Sequence, residues 1–393
     1  MKVLILHNTY QQKGGEDTVF ESELALLKKN GIEVDTLLYD NHEIKSAKDK
    51  LLTGLFSFYN PKGKAKLLNK IKEFQPDIIH VHNFFPLASP SIFYAAKACK
   101  VPIVMTLHNY RLICPSAYLF FNGRIYEDNI HKNFPISPIL KGVYRDSKIQ
   151  TASLVLMTGI HKVLKTWEKH VDRYITLTNF AKDKFLDSSL GAKPNQFVVK
   201  PNFVPDIGIG REERKDFLFI GRLSEEKGIS TLLEAFSKTE SKLKILGDGP
   251  LKEDVLKAEK AHSNIEYIGF KPRTEVVEML KSVKALVFSS VWYEGMPMVI
   301  LEALSVGTPV IAPNLGGPAE MIEDKKNGLI YETGNTEILS EKISLLDKDE
   351  ALQKELSANA RNIYEEKYTE EINFKILQEI YEDVISEYKK NPS

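Results

Sequence analysis

The chain has 393 residues, 43% of them apolar, two cysteines, and equal numbers of basic and acidic side chains, 53 of each. That length allows two or three globular domains, and two cysteines cannot build a disulfide framework, so a reducing, cytoplasmic setting is expected. No stretch approaches the roughly 18 consecutive apolar residues of a membrane-spanning helix. The balanced net charge hides an asymmetry: residues 1–200 carry 28 Lys and Arg against 18 Asp and Glu, and the remainder carries 25 against 35.

In chain order, MKVLILHN reads as a first strand rather than a signal peptide. The apolar runs IEVDTLLY, DIIHVHN, PIVMTLHN, RYITLT and FVVKPN follow, separated by helix-length amphipathic segments such as EDTVFESELALLKKNG. The runs are rich in Val, Ile and Leu and lack polar alternation, which predicts parallel strands buried on both faces by helices. KPNFVPDIGIGREERKD, with two prolines and two glycines, predicts a linker. The alternation then restarts: DFLFIGRL, KLKILGDG, IEYIGF, KALVFSS, PVIAPN and GLIYE are strands, each followed by a helix pattern. TEEINFKILQEIYEDVISEYKK predicts a long amphipathic terminal helix.

The expected fold is therefore α/β, with two Rossmann-like doubly wound domains. The boundaries are 1–200 for the first domain, 201–215 for the linker, 216–370 for the second domain and 371–393 for the last helix. Open sheets of this kind bind ligands beyond the carboxyl ends of their strands. If the two sets of strand ends face one another, the cleft between them is the expected site.

Four groups of residues lie at such ends. In WYEGMPMVILEALSVG, Glu294 falls in a loop after a strand and Glu302 about two turns into the helix that follows. The pair can accept hydroxyl hydrogen bonds from two sugars, or Glu302 can simply pair locally. In FIGRLSEEKG, Arg222 and Lys227 lie beside a helix start, where the helix dipole disfavours cations. A diphosphate between them removes the conflict, and so does pairing with Glu225 or Glu226. Gly221, Gly249 and Gly269, the last before Phe270, are strand-end glycines that let a ligand meet bare backbone or that merely make turns. In the first half, Gly14 and Gly15 precede a helix, and His108 ends a strand. Each is a candidate for ligand contact or a structural residue.

The segment from Lys45 to Phe74 interleaves lysines with Leu51, Leu52, Leu55, Phe56, Phe58 and Tyr59. It suits an anionic membrane face, or a solvated helix pair that packs its apolar side inward. The basic half contains no nucleic-acid reader module, so a nucleic-acid partner is not expected.

Taken together, E-G-M-P-M-V-I-L-E followed by A-L-S-V-G-T-P-V-I-A, with G-R-L-S-E-E-K-G, G-D-G-P, G-G-P-A-E-M-I and the early Gly-Gly loop in this order, resembles the retaining glycosyltransferases of family four. The resemblance covers nearly the whole chain. It implies the GT-B fold, with the terminal helix returning to the N-terminal domain. It implies an acceptor-binding first domain and a second that binds a nucleotide sugar, most commonly a UDP-sugar. With the basic first half, the expected acceptor is a lipid-linked saccharide of cell-surface polysaccharide synthesis, handled by a peripheral protein on the inner membrane face. By the same resemblance Arg222 and Lys227 hold the donor diphosphate and Glu302 the ribose. Glu294, with the backbone of Gly295, Met296, Pro297 and Met298, holds the sugar. The backbone near Phe270 meets the base, His108 lies by the anomeric centre and Gly15 by the phosphate. Gly221 and Gly249 complete the donor set. No metal or other cofactor is implied. The segment after His108 departs from relatives that carry further cysteines there, so Cys114 is expected to be a buried thiol. The same architecture also serves nucleotide-sugar 2-epimerases, which would release an isomerised sugar without an acceptor. A non-catalytic nucleotide-sugar-binding partner subunit is a further alternative, and the intact Glu294, Glu302, Arg222, Lys227 and His108 argue against it.

Overall fold

The structure is a computed structural model that describes residues 1–11 and 14–390. The chain folds as two units. Unit 1 comprises Met1–Phe121, Tyr126–Lys200 and Phe374–Ser393, and unit 2 comprises Asn122–Ile125 and Pro201–Asn373.

The strands of the first half are β1 (Lys2–Thr9), β2 (Glu33–Asp40), β3 (Ile78–Val81), β4 (Ile103–Leu107), the short β5 (Phe120–Phe121) and β6 (Arg124–Ile125), then β7 (Arg173–Thr176) and β8 (Phe197–Val199). Unit 1 is built on a six-stranded sheet in the order β2-β1-β3-β4-β7-β8. All of its pairings are parallel. Val3, Leu4, Ile5 and Leu6 are completely buried, as strands covered on both faces must be. Helix Gly15–Lys29 starts with Glu16 and Asp17 and ends with Lys28 and Lys29, the order that its dipole favours. The Asp17 carboxylate accepts the Gly14 N–H at 2.8 Å and fastens that start. In the terminal helix Glu370–Lys390, Leu377, Ile380, Tyr381 and Val384 recur at helical spacing. They join Val3, Ile5, Ile78, Val104 and Ile175 in one core, so this helix completes unit 1. Cys114 is a buried free thiol, and burial pushes its pKa up.

The second half adds β9 (Phe217–Ile220), β10 (Leu243–Leu246), β11 (Ile265–Gly269), β12 (Ala285–Val287), β13 (Val310–Pro313) and β14 (Gly328–Tyr331). They form a second parallel sheet in the order β11-β10-β9-β12-β13-β14. The stretch 201–215 has no regular structure but is pinned to unit 2. Arg214 is buried and donates to the carbonyls of Leu280, Val283 and Val306 and to Thr308 Oγ1. Arg361 grips Asp206 with two bonds of 2.9 and 2.6 Å. Asp347 lies in helix Thr336–Lys348. It accepts from Ser241 Oγ at 2.8 Å and Lys284 Nζ at 2.6 Å, which ties that helix to the sheet.

Strand order reverses between β1 and β3 in unit 1 and between β9 and β12 in unit 2. At such a switch point consecutive connections leave on opposite faces, and a crevice opens beyond the strand ends. Gly15 follows β1, Arg222 and Lys227 follow β9 and Glu294 follows β12, whereas His108, Gly249 and Phe270 follow the neighbouring strands β4, β10 and β11.

Candidate functional site

In unit 2, Lys227 belongs to the short turn Glu225–Lys227 after β9, and Glu294 belongs to the loop after β12. The Lys227 ammonium and Glu294 Oε1 form an ion pair. Ser290 Oγ and Trp292 Nε1 donate to the same carboxylate oxygen at 3.0 and 2.8 Å. The Lys227 ammonium also lies 5.5 Å from the centre of the Trp292 ring. Among the described residues the alternative pairing with Glu225 or Glu226 is not formed: Glu226 accepts from Ser224 Oγ at 2.6 Å. Arg222 is exposed, and among the described residues no carboxylate pairs with its guanidinium.

The loops are laced together so tightly that only glycine fits at their crossings. Gly228 has φ +66°, and a Cβ there would lie 1.9 Å from the Ser289 carbonyl oxygen. A Cβ on Gly317 would lie 1.9 Å from the Gly295 oxygen, and the Gly317 N–H donates to the Glu294 carbonyl at 2.9 Å. Gly249 passes under Leu223, where a Cβ would lie 2.4 Å from a carbonyl oxygen. Gly221 donates its N–H to Leu246 at 3.1 Å. These crossings position the Lys227 and Glu294 loops against each other.

The helix after Glu294 is shorter than expected. Pro297 is its N-cap, in extended conformation, and the helix runs Met298–Ser305. Glu302 is therefore little more than one turn in, not two, because the Gly295–Pro297 stretch stays extended. No side chain caps this helix start, so the first amides, at Met298 and Val299, keep their hydrogen-bonding capacity. The Met296 side chain turns inward, and its sulfur accepts the Asn202 N–H. Glu302 meets Arg273 at 3.0 Å. Burial raises the pKa of its carboxyl, with Arg273 opposing. Phe270 is 83% exposed and follows Gly269, which has φ +78°.

In unit 1, Gly15 opens helix Gly15–Lys29, and nothing lies within 4 Å of the place a Cβ would take. Residues 12 and 13 of that loop lie outside the described residues. His108 follows β4 and is half-buried. Burial drives its pKa well below the ordinary histidine value. Behind it lies a buried polar cluster that motif reading missed: Glu23, His80, His82 and Lys200. The available signal was H-V-H in DIIHVHN, since residues two apart on a strand share a face. Glu23, His80 and His82 come close enough together to hold a metal ion. Glu23 Oε1 and both His80 nitrogens are already engaged, whereas Glu23 Oε2 and His82 Nε2 have no hydrogen-bond partner among the described residues. Lys200 neutralises Glu23, and both His80 nitrogens are bonded at 2.7 Å, to Tyr381 and Thr106.

Among the described residues, no helix is long and apolar enough to cross a membrane. One face of unit 1 is nevertheless strongly apolar. In helix Lys148–Val163, Ile149, Leu156 and Val163 stand seven apart and are 81%, 50% and 59% exposed. That helix abuts helix Ala47–Phe56, with Ser153 Oγ donating to the Gly54 carbonyl at 3.0 Å. Leu52, Leu55, Phe56 and Phe58 are exposed there too.

Comparison with known proteins agrees with this architecture. Residues 14–206 match the family described as Glycosyltransferase Family 4, and residues 206–363 match Glycosyl transferases group 1. An uncharacterized glycosyltransferase of Methanocaldococcus jannaschii is 27% identical over 98% of this chain and 99% of its own. The crystal structure of Anabaena HepE in complex with UDP superposes with a TM-score of 0.70 at 16% identity, covering 98% of this chain and all of that one. The lipopolysaccharide outer core galactosyltransferase WaaB superposes at 0.65 with 18% identity, covering 96% and 98%. With one glycosyltransferase domain family following directly on the other along the sequence, the chain belongs to the family-four, group 1 glycosyltransferases.

Proposed function

We propose that the chain is a retaining glycosyltransferase that moves a sugar from a UDP-sugar to a lipid-linked saccharide during cell-surface polysaccharide synthesis. The observation that carries this reading is the meeting of Lys227 and Glu294 at the β9/β12 switch point, beside an uncapped helix start. A cation and free amides suit a diphosphate. Among the described residues the three donors to Glu294, from Lys227, Ser290 and Trp292, reach Oε1, which leaves Oε2 to accept hydroxyls of the donor sugar. Two of the proteins of similar fold point the same way: HepE was crystallised with UDP, and WaaB is named as a lipopolysaccharide galactosyltransferase.

In the proposed reaction the bond between the anomeric carbon and the β-phosphate oxygen breaks, and its electron pair stays with the phosphate. The acceptor hydroxyl attacks the same face and passes its proton to the departing phosphate oxygen, so configuration is retained without a protein nucleophile. Arg222, Lys227 and the Met298 end of the helix stabilise the growing negative charge. Preorganised groups of this type are each worth about 3 kcal/mol. These cations are proposed to make a metal unnecessary. Glu302 holds the ribose, and the backbone beside Phe270 meets the base, with Gly221 and Gly249 allowing close approach. From the N-terminal unit, His108 is assigned to the sugar and the Gly15 backbone to a phosphate oxygen.

The protein is further proposed to work on the inner face of the cell membrane, docked by the apolar stripes of unit 1. Charge supports an anionic bilayer as the partner. Residues 45–74 hold eight basic side chains and two acidic ones, and residues 132–165 hold six and one. Each basic residue near such a surface adds about 1 kcal/mol.

A thermal-shift panel of nucleotides and nucleotide sugars tests the central claim. A ligand at 100 times its Kd stabilises by about 2.7 kcal/mol. UDP and one UDP-sugar should raise Tm, and a panel in which no nucleotide does so would refute the reading. The anomeric configuration of the product, read by proton NMR, tests retention.

A further inference from the structure

His82 follows β3 and His108 follows β4, neighbouring parallel strands. Their rings stack with centroids 5.3 Å apart and planes inclined by 21°. His82 Nδ1 lies 3.1 Å from His108 Nε2. On the other side of the ring, His82 Nε2 lies 3.2 Å from Glu23 Oε2, and Glu23 Oε1 takes the Lys200 ammonium. A line of polar groups thus runs from Lys200 through Glu23 and His82 to His108. The first three are buried and the last is half-buried.

The order of protons along this line follows from charge. A carboxylate can only accept. Burial alone would raise the Glu23 pKa, but the Lys200 ammonium and His82 hold it well below the usual range, so it is an anion. His82 Nε2 and Glu23 Oε2 are both buried and 3.2 Å apart, a charge contact rather than an aligned hydrogen bond, and among the described residues neither has a hydrogen-bond partner. A lone pair on Nε2 would face a negative oxygen, so that nitrogen carries the proton. Burial lowers the His82 pKa and keeps the ring neutral, which makes Nδ1 an acceptor. His108 must then donate from Nε2. Its own ring is neutral too, so Nδ1 is left as a lone pair.

The other titratable groups facing these rings are tied elsewhere. His7 is held by Asp17 at 2.8 Å, and His80 by Tyr381 and Thr106 at 2.7 Å, although its Nδ1 also lies 3.7 Å from Glu23 Oε2. None of them competes for the His82 nitrogens.

We propose that His82 is a positioning residue for His108, locked by the buried Glu23–Lys200 pair, so that His108 presents a hydrogen-bond acceptor that selects a hydroxyl of the donor sugar and turns away a carboxylate. The selectivity rests on the nucleotide-sugar reading above, whereas the proton order does not. A uronic acid donor would place negative charge against the Nδ1 lone pair, where a neutral hexose offers an O–H.

The test is a long-range 1H–15N spectrum of the full chain labelled with 15N-histidine at pH 7.5. His108 is expected as the Nε2–H tautomer. His82→Leu removes the acceptor and should release His108 to a tautomer mixture, while His82→Gln, whose amide oxygen can accept, should restore the native form. An Nδ1–H or doubly protonated His108 in the native chain overturns the relay, whether or not the variants fold. In parallel, UDP-glucose should raise Tm more than UDP-glucuronate at equal concentration, and equal shifts overturn the selectivity. UDP alone is the control: a missing UDP shift strikes the nucleotide reading and leaves the tautomer test standing.

Discussion

Lys227 and Glu294, 67 positions apart in the chain, form an ion pair where the strand order of unit 2 reverses. The contact depends on a crossing of backbones. Gly228 runs beneath the Ser289 carbonyl, and Ser289 Oγ donates to the Lys227 carbonyl at 2.8 Å. Both partners are mostly buried, at 23% and 12% side-chain exposure, so neither is a freely solvated charge.

Lys227→Met is expected to lose transfer by about 100-fold or more, the usual effect of deleting one preorganised charge stabiliser. UDP affinity should also fall. Glu294→Gln keeps the donors to Oε1 partly satisfied and should bind UDP nearly normally while losing turnover, because its proposed partner is the sugar. Nucleotide titration followed by thermal shift, with donor turnover on the same samples, separates the two effects. Near-normal turnover in both variants would remove these residues from the mechanism.

Gly317→Ala and Gly15→Ala should behave oppositely. At Gly317 a methyl group would lie 1.9 Å from a carbonyl oxygen, so the Glu294 loop must shift. A cost of about 1–3 kcal/mol is expected, with weaker UDP binding. At Gly15 the methyl meets nothing within 4 Å, so stability should hold. Any loss of transfer there would report a ligand that approaches the backbone. Urea denaturation and turnover measure each term.

Unit 1 should weaken in mild acid. Burial holds the pKa values of His80, His82 and His108 below the ordinary value of 6.5. Below about pH 6.5 the unfolded chain therefore takes up protons that the folded chain refuses, and stability falls. Each such histidine can contribute up to about 1.36 kcal/mol per pH unit. Glu23, held low by Lys200, adds its loss only at more acid pH. Trp167 is buried in unit 1 and the other tryptophan is Trp292, so Trp292→Phe leaves a reporter for unit 1 alone. Its urea midpoint should drop between pH 7.5 and 5.5, and a constant midpoint contradicts the neutral cluster.

Membrane docking should depend on both charge and the apolar stripe. The chain is expected to float with vesicles containing phosphatidylglycerol at low salt, and to release as salt rises. Leu156→Asp and Ile149→Asp place charges on the stripe and should abolish flotation without loss of stability, since both positions are exposed. Failure of the native chain to bind at low salt would eliminate the docking face.

Much of the fold was legible in order along the chain. Runs such as VLIL and IVMTL cannot be solvated, so they specify buried parallel strands, and the glycines of GRLSEEKG and LGGP mark where backbones must cross closely. The terminal helix carries its apolar stripe openly. The extent of the helix after Pro297 was less legible, because the cap geometry of a Gly-Met-Pro stretch depends on what packs beneath it. Local sequence thus determined the elements, the two sheets and the positions of charged residues at strand ends. Only the tertiary structure decided which charges meet: Lys227 with Glu294 rather than its neighbours, and Lys200 with Glu23 behind two histidines. The reason is that an ion pair is a property of distance and burial, and residues tens or hundreds of positions apart acquire those only when the strands that carry them take their places in a sheet.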